Sequence, residues 1–217
     1  MNPKELVRKG YNLAAYAHRD DRGRSPFKNG FSYRAWSDEL GRRLERGAKI
    51  LDLGCGNGLP MAKSLAKRFD VLGIDLSDIQ VRRAKKLVPG ASFRRGDMCK
   101  LRIARSSLDS VVCLYALIHV PRREQRTVIR NVSRWLKPGG LFLLIVGMNA
   151  GEGGDSDWLG VKGADMFWAQ EDLATYERWF SEEGFRISRK RRIPEGDVAH
   201  QLYLLAKRGP LSNGNAS

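Results

Sequence analysis

The sequence predicts an α/β fold whose sheet is mostly parallel and covered by helices on both faces. Three observations point there. Short apolar runs of strand length recur at residues 50–53, 70–75, 91–95, 109–114 and 141–146, too continuous to leave one face in water, as strands buried on both faces read. They alternate with segments of helical period at 59–68, 78–88 and 121–136. The first run also ends in Gly54-Cys55-Gly56-Asn57-Gly58, a turn that opens a helix-like segment.

Ahead of the alternation, residues 3–19 carry Leu6, Val7, Leu13, Ala14 and Ala17 at helical spacing, a lid-like helix bearing Tyr11 and Tyr16. Turn chemistry over 20–26 makes a loop, and a second helix is expected from 33 to about 46, ending near Gly47. Inside the alternation, Ser77 caps the helix at 78–88, and Pro89-Gly90 stops it. Val128, Ile129, Val132, Trp135 and Leu136 form one apolar stripe with arginines opposite. Residues 148–165 then read as one long glycine-rich loop holding Glu152, Asp155, Asp157 and Trp158. A helix over 171–183 ends at Gly184, and two strands at 185–193 and 198–206, joined by 194–197, form an antiparallel edge hairpin.

The 217 residues make one domain by length, expected over 1–207. It divides into lid helices at 1–47, a cofactor-binding core at 48–147, and a substrate-side loop, helix and hairpin at 148–207; the tail at 208–217 reads as disordered. The longest apolar run, 141–146, is far too short to span a bilayer, and the N-terminus lacks the apolar core of a secretory signal. Three cysteines without ligand spacing argue against a disulfide framework and against a metal site. A cytoplasmic protein without a membrane partner is expected, its oligomeric state left open. The net charge of +15 raises a nucleic-acid footprint. The basic clusters are scattered over several elements, however, so solvated faces are the favoured reading.

Gly54, Gly56 and Gly58 follow G-x-G-x-G, so the dinucleotide fingerprint fails where position 59 is Leu. A second apolar run closes on Asp75, at the distance where such folds place a carboxylate on ribose hydroxyls. A ribose is thereby expected, and a diphosphate is not.

These residues resemble the class I S-adenosylmethionine-dependent methyltransferases. The family's first motif is matched by residues 50–58, its second by Gly73-Ile74-Asp75-Leu76-Ser77, and its third by Gly96-Asp97-Met98. Leu136-Lys137-Pro138-Gly139-Gly140 resembles the turn before its fifth strand. The resemblance implies a Rossmann-like doubly wound sheet of seven strands, mostly parallel with an antiparallel C-terminal hairpin, and S-adenosyl-L-methionine as cofactor, leaving S-adenosyl-L-homocysteine as product. By the same resemblance, Gly54, Gly56 and Gly58 pack against the methionine part, and Asp52 orients that loop or the ammonium. Asp75, with Leu76 beside it, takes the ribose; Asp97 faces the adenine amine, and Met98 packs on the ring. Leu114 offers its carbonyl to the amino group, and Tyr11 and Tyr16 close over the carboxylate. Residues 115–122, with Asp157-Trp158-Leu159-Gly160, Met166-Phe167-Trp168 and His200, resemble a group of small bacterial and archaeal methyltransferases. In that group a histidine often stands where this sequence has Gln170.

Methyl transfer is an in-line displacement that mainly needs positioning, with a base only where the nucleophile must lose a proton. His119, just past the fourth strand, is the first catalytic candidate and His200 the second; His18 is set aside. No Asn/Asp-Pro-Pro-aromatic segment follows the fourth strand, and no Pro-Cys nucleophile is present, so base amines and pyrimidine carbon are disfavoured as acceptors. Trp36, Tyr115, Trp158 and Trp168, with Phe167, suggest an apolar pocket for a small organic acceptor, at oxygen or nitrogen rather than carbon. The alternatives are an RNA methyltransferase using the basic surface and a non-catalytic S-adenosylmethionine-binding module.

Overall fold

The computed structural model describes residues 2–27, 32–195 and 198–209. Its central sheet has seven strands: β1 (Lys49–Leu53), β2 (Asp70–Asp75), β3 (Ser92–Arg95), β4 (Leu108–Cys113), β5 (Leu136–Gly147), β8 (Phe185–Glu195) and β9 (Val198–Lys207). They lie in the order β3-β2-β1-β4-β5-β9-β8, with β1 to β5 parallel and β9 antiparallel to both neighbours. The order in which successive strands are added reverses between β1 and β4, and the crevice beyond the carboxyl ends of strands at such a point is where open α/β sheets bind ligands.

Alternation along β1 builds two cores. Ile50 joins the layer packed under α3 (Tyr33–Arg43), α4 (Met61–Leu65) and α5 (Asp78–Leu87), whereas Leu51 and Leu53 join the layer under α6 (Arg122–Trp135) and α7 (Leu173–Glu182). The stripe expected on α6 is buried throughout, and Ser77 Oγ caps α5 by accepting from Gln80 N at 3.1 Å. α1 (Pro3–Leu13) and the one-turn α2 (Ala15–His18) lie over the carboxyl ends of the strands. Arg83, 6% exposed, ties them down by donating to the Ala15 and Arg19 carbonyls and to Asp21.

Several boundaries differ from expectation. Residues 148–165 are not one loop: β6 (Gly151–Asp155) pairs antiparallel with β7 (Met166–Gln170) as a separate two-stranded sheet, with a 3-10 turn at Trp158–Gly160 between them. The segment expected helical over 59–68 holds only five α-helical residues, and Leu136 already begins β5. β8 continues through Pro194 to Glu195, while Gly196, Asp197 and the tail from 210 lie outside the described residues.

Candidate functional site

The glycine turn leaves β1 with its backbone pinned from below, as Gly54 N and Cys55 N both donate to the Ile74 carbonyl at 2.8 and 3.1 Å. Gly54 has φ +73°, and a Cβ there would fall 2.3 Å from the Ala116 Cβ, so only glycine fits. Gly56 is also left-handed at φ +54°, but a Cβ there would meet nothing within 4 Å. Its amide donates to Asp75 Oδ2 at 2.9 Å, while Asp75 Oδ1 accepts from Ser77 N at 2.8 Å. Both oxygens keep acceptor capacity, and burial raises the carboxyl pKa against those amide bonds. Asp52, 4% exposed, makes no hydrogen bond within the described residues; burial first and the Asp75 charge second push it up to about 7.

These groups open onto a cavity of about 700 Å³. Over β1 and β2 it is lined by Asp52, Gly54, Gly56, Asp75, Leu76 and Met98. Over β4, β5 and β9 it is lined by Leu114, Tyr115, His119, Trp158, Trp168 and His200. Thirteen sequence-predicted site residues thus converge on it, Tyr11 being the last.

His119 is buried on the 3-10 turn Leu117–His119, which Gln125 braces by donating from Nε2 to the carbonyls of Leu117, Val120 and Ala169. Its Nδ1 lies 2.9 Å from the Phe167 carbonyl and its Nε2 2.9 Å from the Tyr11 hydroxyl. The carbonyl can only accept, so Nδ1 carries the proton and the Tyr11 hydroxyl donates to Nε2. Burial pushes the imidazole down to about 4 and the Tyr11 phenol well above its ordinary value. His200 Nδ1 sits 3.3 Å from Glu195 Oε2, with its ring edge-on to Tyr115.

Four expected site residues lie elsewhere. Tyr16 is 62% exposed and stacks on the outer side of Arg83, whose guanidinium carbon is 4.0 Å from the ring centre. Gly58 faces the core, where a Cβ would come 2.9 Å from Val88. Asp97 is held by Lys4 Nζ at 2.9 Å and by the Cys99 amide, and Lys4 also pairs with Glu124. Trp36, 4% exposed, belongs to the core under α3, because the sheet claims that face of the helix. Phe167 contributes its carbonyl to His119 and does not line the cavity. Conversely, His18, Phe27, Tyr33, Gln170 and Glu195 line it without having been expected to, and Asp155, noted only as a loop acid, joins them. The aromatic character of the first three gave a hint, as did the family position that Gln170 occupies; nothing marked Glu195.

Comparison with known proteins adds likenesses over part of the chain. Residues 50–140 match the family model of a methyltransferase domain. The sterol 24-C-methyltransferase of Aspergillus fumigatus is 36% identical over 107 residues, 46% of this chain and 28% of that protein. The 27-O-demethylrifamycin SV methyltransferase of Amycolatopsis mediterranei is 37% identical over 108 residues, 46% of this chain and 39% of that protein. The chain spans less than half the length of the curated relatives it matches. Among solved structures, magnesium protoporphyrin IX methyltransferase from Synechocystis with bound SAH superposes with a TM-score of 0.72 at 18% identity, covering 95% of this chain and all of that one. A [4+2]-cyclase superposes with a TM-score of 0.71 at 17% identity, covering 94% of this chain and 96% of that one.

Proposed function

We propose that this chain is a class I S-adenosylmethionine-dependent methyltransferase that methylates a small organic acceptor at oxygen or nitrogen, a reading supported by the match of residues 50–140 to a methyltransferase domain. The carrying observation is that Asp52, Gly56 and Asp75 open onto one cavity with their ligand-facing capacity free. Asp52 is buried without a hydrogen-bond partner among the described residues and suits an ammonium, because an unpaired buried carboxyl gains most from a cation. Asp75 keeps acceptor capacity on both oxygens for two vicinal hydroxyls, and the bare Gly56 backbone admits close approach.

S-adenosylmethionine supplies an electrophilic methyl on its sulfonium. The chain's part is to hold the acceptor in line and dry, which Trp158, Trp168 and Tyr115 do from the far side of the cavity. His119 is neutral across the working range, and its Nε2 can take a proton through the Tyr11 hydroxyl; His200 is the second candidate. His119 is only weakly basic, which suits a reaction driven by positioning more than by deprotonation.

Equilibrium titration with S-adenosylmethionine tests the reading. Saturable binding that Asp75→Ala weakens at least about tenfold, close to the energy of one charge-assisted hydrogen bond, is the expected result. No binding at millimolar cofactor overturns it. The basic exterior, with Arg189 and Lys190 exposed on the edge strand β8, favours a second reading as an RNA methyltransferase. That reading requires tRNA affinity that falls steeply with salt. No described helix is long and apolar enough to cross a membrane. The cysteines Cys55, Cys99 and Cys113 are free, which suits a reducing cytoplasm.

A further inference from the structure

The charge of the cavity is opposite to that of the molecule. The chain carries +15 overall, yet among the described residues four acids line the cavity, Asp52, Asp75, Asp155 and Glu195, against one permanent cation, Arg19. Burial keeps His18 and His119 neutral, with pKa values near 3 and 4, so they add nothing to offset those acids. Asp52 and Asp75 sit at the ends of β1 and β2 and belong to the cofactor side. Asp155 and Glu195 do not: Asp155 Oδ2 accepts from Trp168 Nε1 at 2.9 Å, and Glu195 flanks His200, whose backbone pairs with Gly147 at the end of β5.

Next to Asp155, through Trp168, stands a wall of rings centred on Trp158, which is 7% exposed, and Glu195 lines the same cavity. Its ring centre is 5.2 Å from Tyr11, 5.5 Å from His18, 6.0 Å from Phe27 and 5.9 Å from Trp168. Aromatic faces joined to carboxylates form a site for a cation, since ring quadrupoles and carboxylates both attract positive charge and neither accommodates an anion. The acids also repel anionic molecules that the basic exterior would collect.

We propose that the methyl acceptor is an amine bound as its ammonium, with an apolar body against Trp158 and Trp168 and its nitrogen directed to Glu195. This rests on the methyltransferase reading and narrows its acceptor. The ammonium loses one proton to the Glu195 carboxylate, which passes it to solvent. The freed nitrogen lone pair forms the new N–C bond as the methyl C–S bond breaks, and that electron pair stays on sulfur as a neutral thioether. The products are the methylated ammonium, the thioether and one released proton.

The test is calorimetric titration of the full chain saturated with S-adenosylhomocysteine, using 2-phenylethylamine, 2-phenylethanol and 3-phenylpropionate as probes of one shape. The amine should bind at least about tenfold more tightly than either of the others, as one desolvated charge pair requires. Glu195→Gln should erase that preference while leaving the alcohol's affinity as it was. Asp155→Asn, which can still accept from Trp168, should reduce the preference less, being the more exposed acid. Equal affinities, a tighter carboxylate, or no amine binding at about 10 mM with S-adenosylhomocysteine bound would overturn the proposal. A chain that fails to bind S-adenosylhomocysteine would instead overturn the methyltransferase reading itself.

Discussion

The Tyr11 hydroxyl lies 2.9 Å from His119 Nε2, and that one bond joins the N-terminal helix to the turn after β4. Both ring nitrogens of His119 are thereby engaged, and the imidazole is held as the Nδ1–H tautomer. Tyr11→Phe should cost about 1 kcal/mol in urea unfolding, the net worth of one buried hydrogen bond plus the unpaired nitrogen it leaves. Nitrogen-15 spectra of the histidines check the tautomer directly: Nδ1 should appear protonated in the parent and stay so in Tyr11→Phe.

Asp52 gives the cofactor-free protein a pH dependence of definite sign. Its pKa rises from 3.8 to about 7 on folding, so the folded state holds the proton more tightly. The resulting stability is complete below about pH 4 and is lost as pH rises through 7. The melting temperature should therefore fall between pH 5 and pH 8, less steeply in Asp52→Asn. S-adenosylmethionine affinity should move the other way, rising through the same window in the parent and flattening in the variant, as titration at four or five pH values would read.

Gly54 and Gly56 separate folding from binding. At Gly54→Ala the new methyl meets Ala116 at 2.3 Å in a left-handed backbone, which should cost about 3 kcal/mol by overpacking and strain together. At Gly56→Ala nothing is struck, so stability should drop by only about 1 kcal/mol from the backbone alone. Cofactor affinity should nonetheless fall at least about tenfold there, because the methyl occupies the space left bare toward the cavity. Thermal melts and cofactor titration of both variants decide the point.

Lys4 is the latch at the start of α1, pairing with Asp97 and Glu124 although it is itself largely buried. Those two acids hold its pKa above the ordinary value against burial, which alone would lower it. Lys4→Ala removes the cation and leaves both acids, and should destabilise the fold by about 1–2 kcal/mol. Hydrogen exchange should show the amides of α1 losing protection before those of the central sheet.

Much of the architecture was legible because it is written locally. Ser77 caps α5 through its own side chain, Gly54 satisfies a left-handed turn that other residues resist, and Val128, Ile129 and Val132 recur at the helical period on α6. The β6–β7 ribbon was not legible, since Gly151–Asp155 has no apolar alternation and its order comes from backbone pairing with residues 11 to 19 positions onward. Trp36 was misplaced for a related reason: helical spacing shows that a ring lies on one face, and only packing decides whether sheet or cavity receives it.

By itself, then, the sequence determined the order of strands and helices, the glycine turn and the acids at its rim, because those depend on neighbours within a few residues. Tertiary structure alone decided that Glu195, Asp155 and His18 face one cavity with Tyr11 and His119. Their meeting depends on strand register and on how α1 and the β6–β7 ribbon settle over the sheet, and no local preference encodes either. The same convergence gave a strongly basic chain an acidic, aromatic interior.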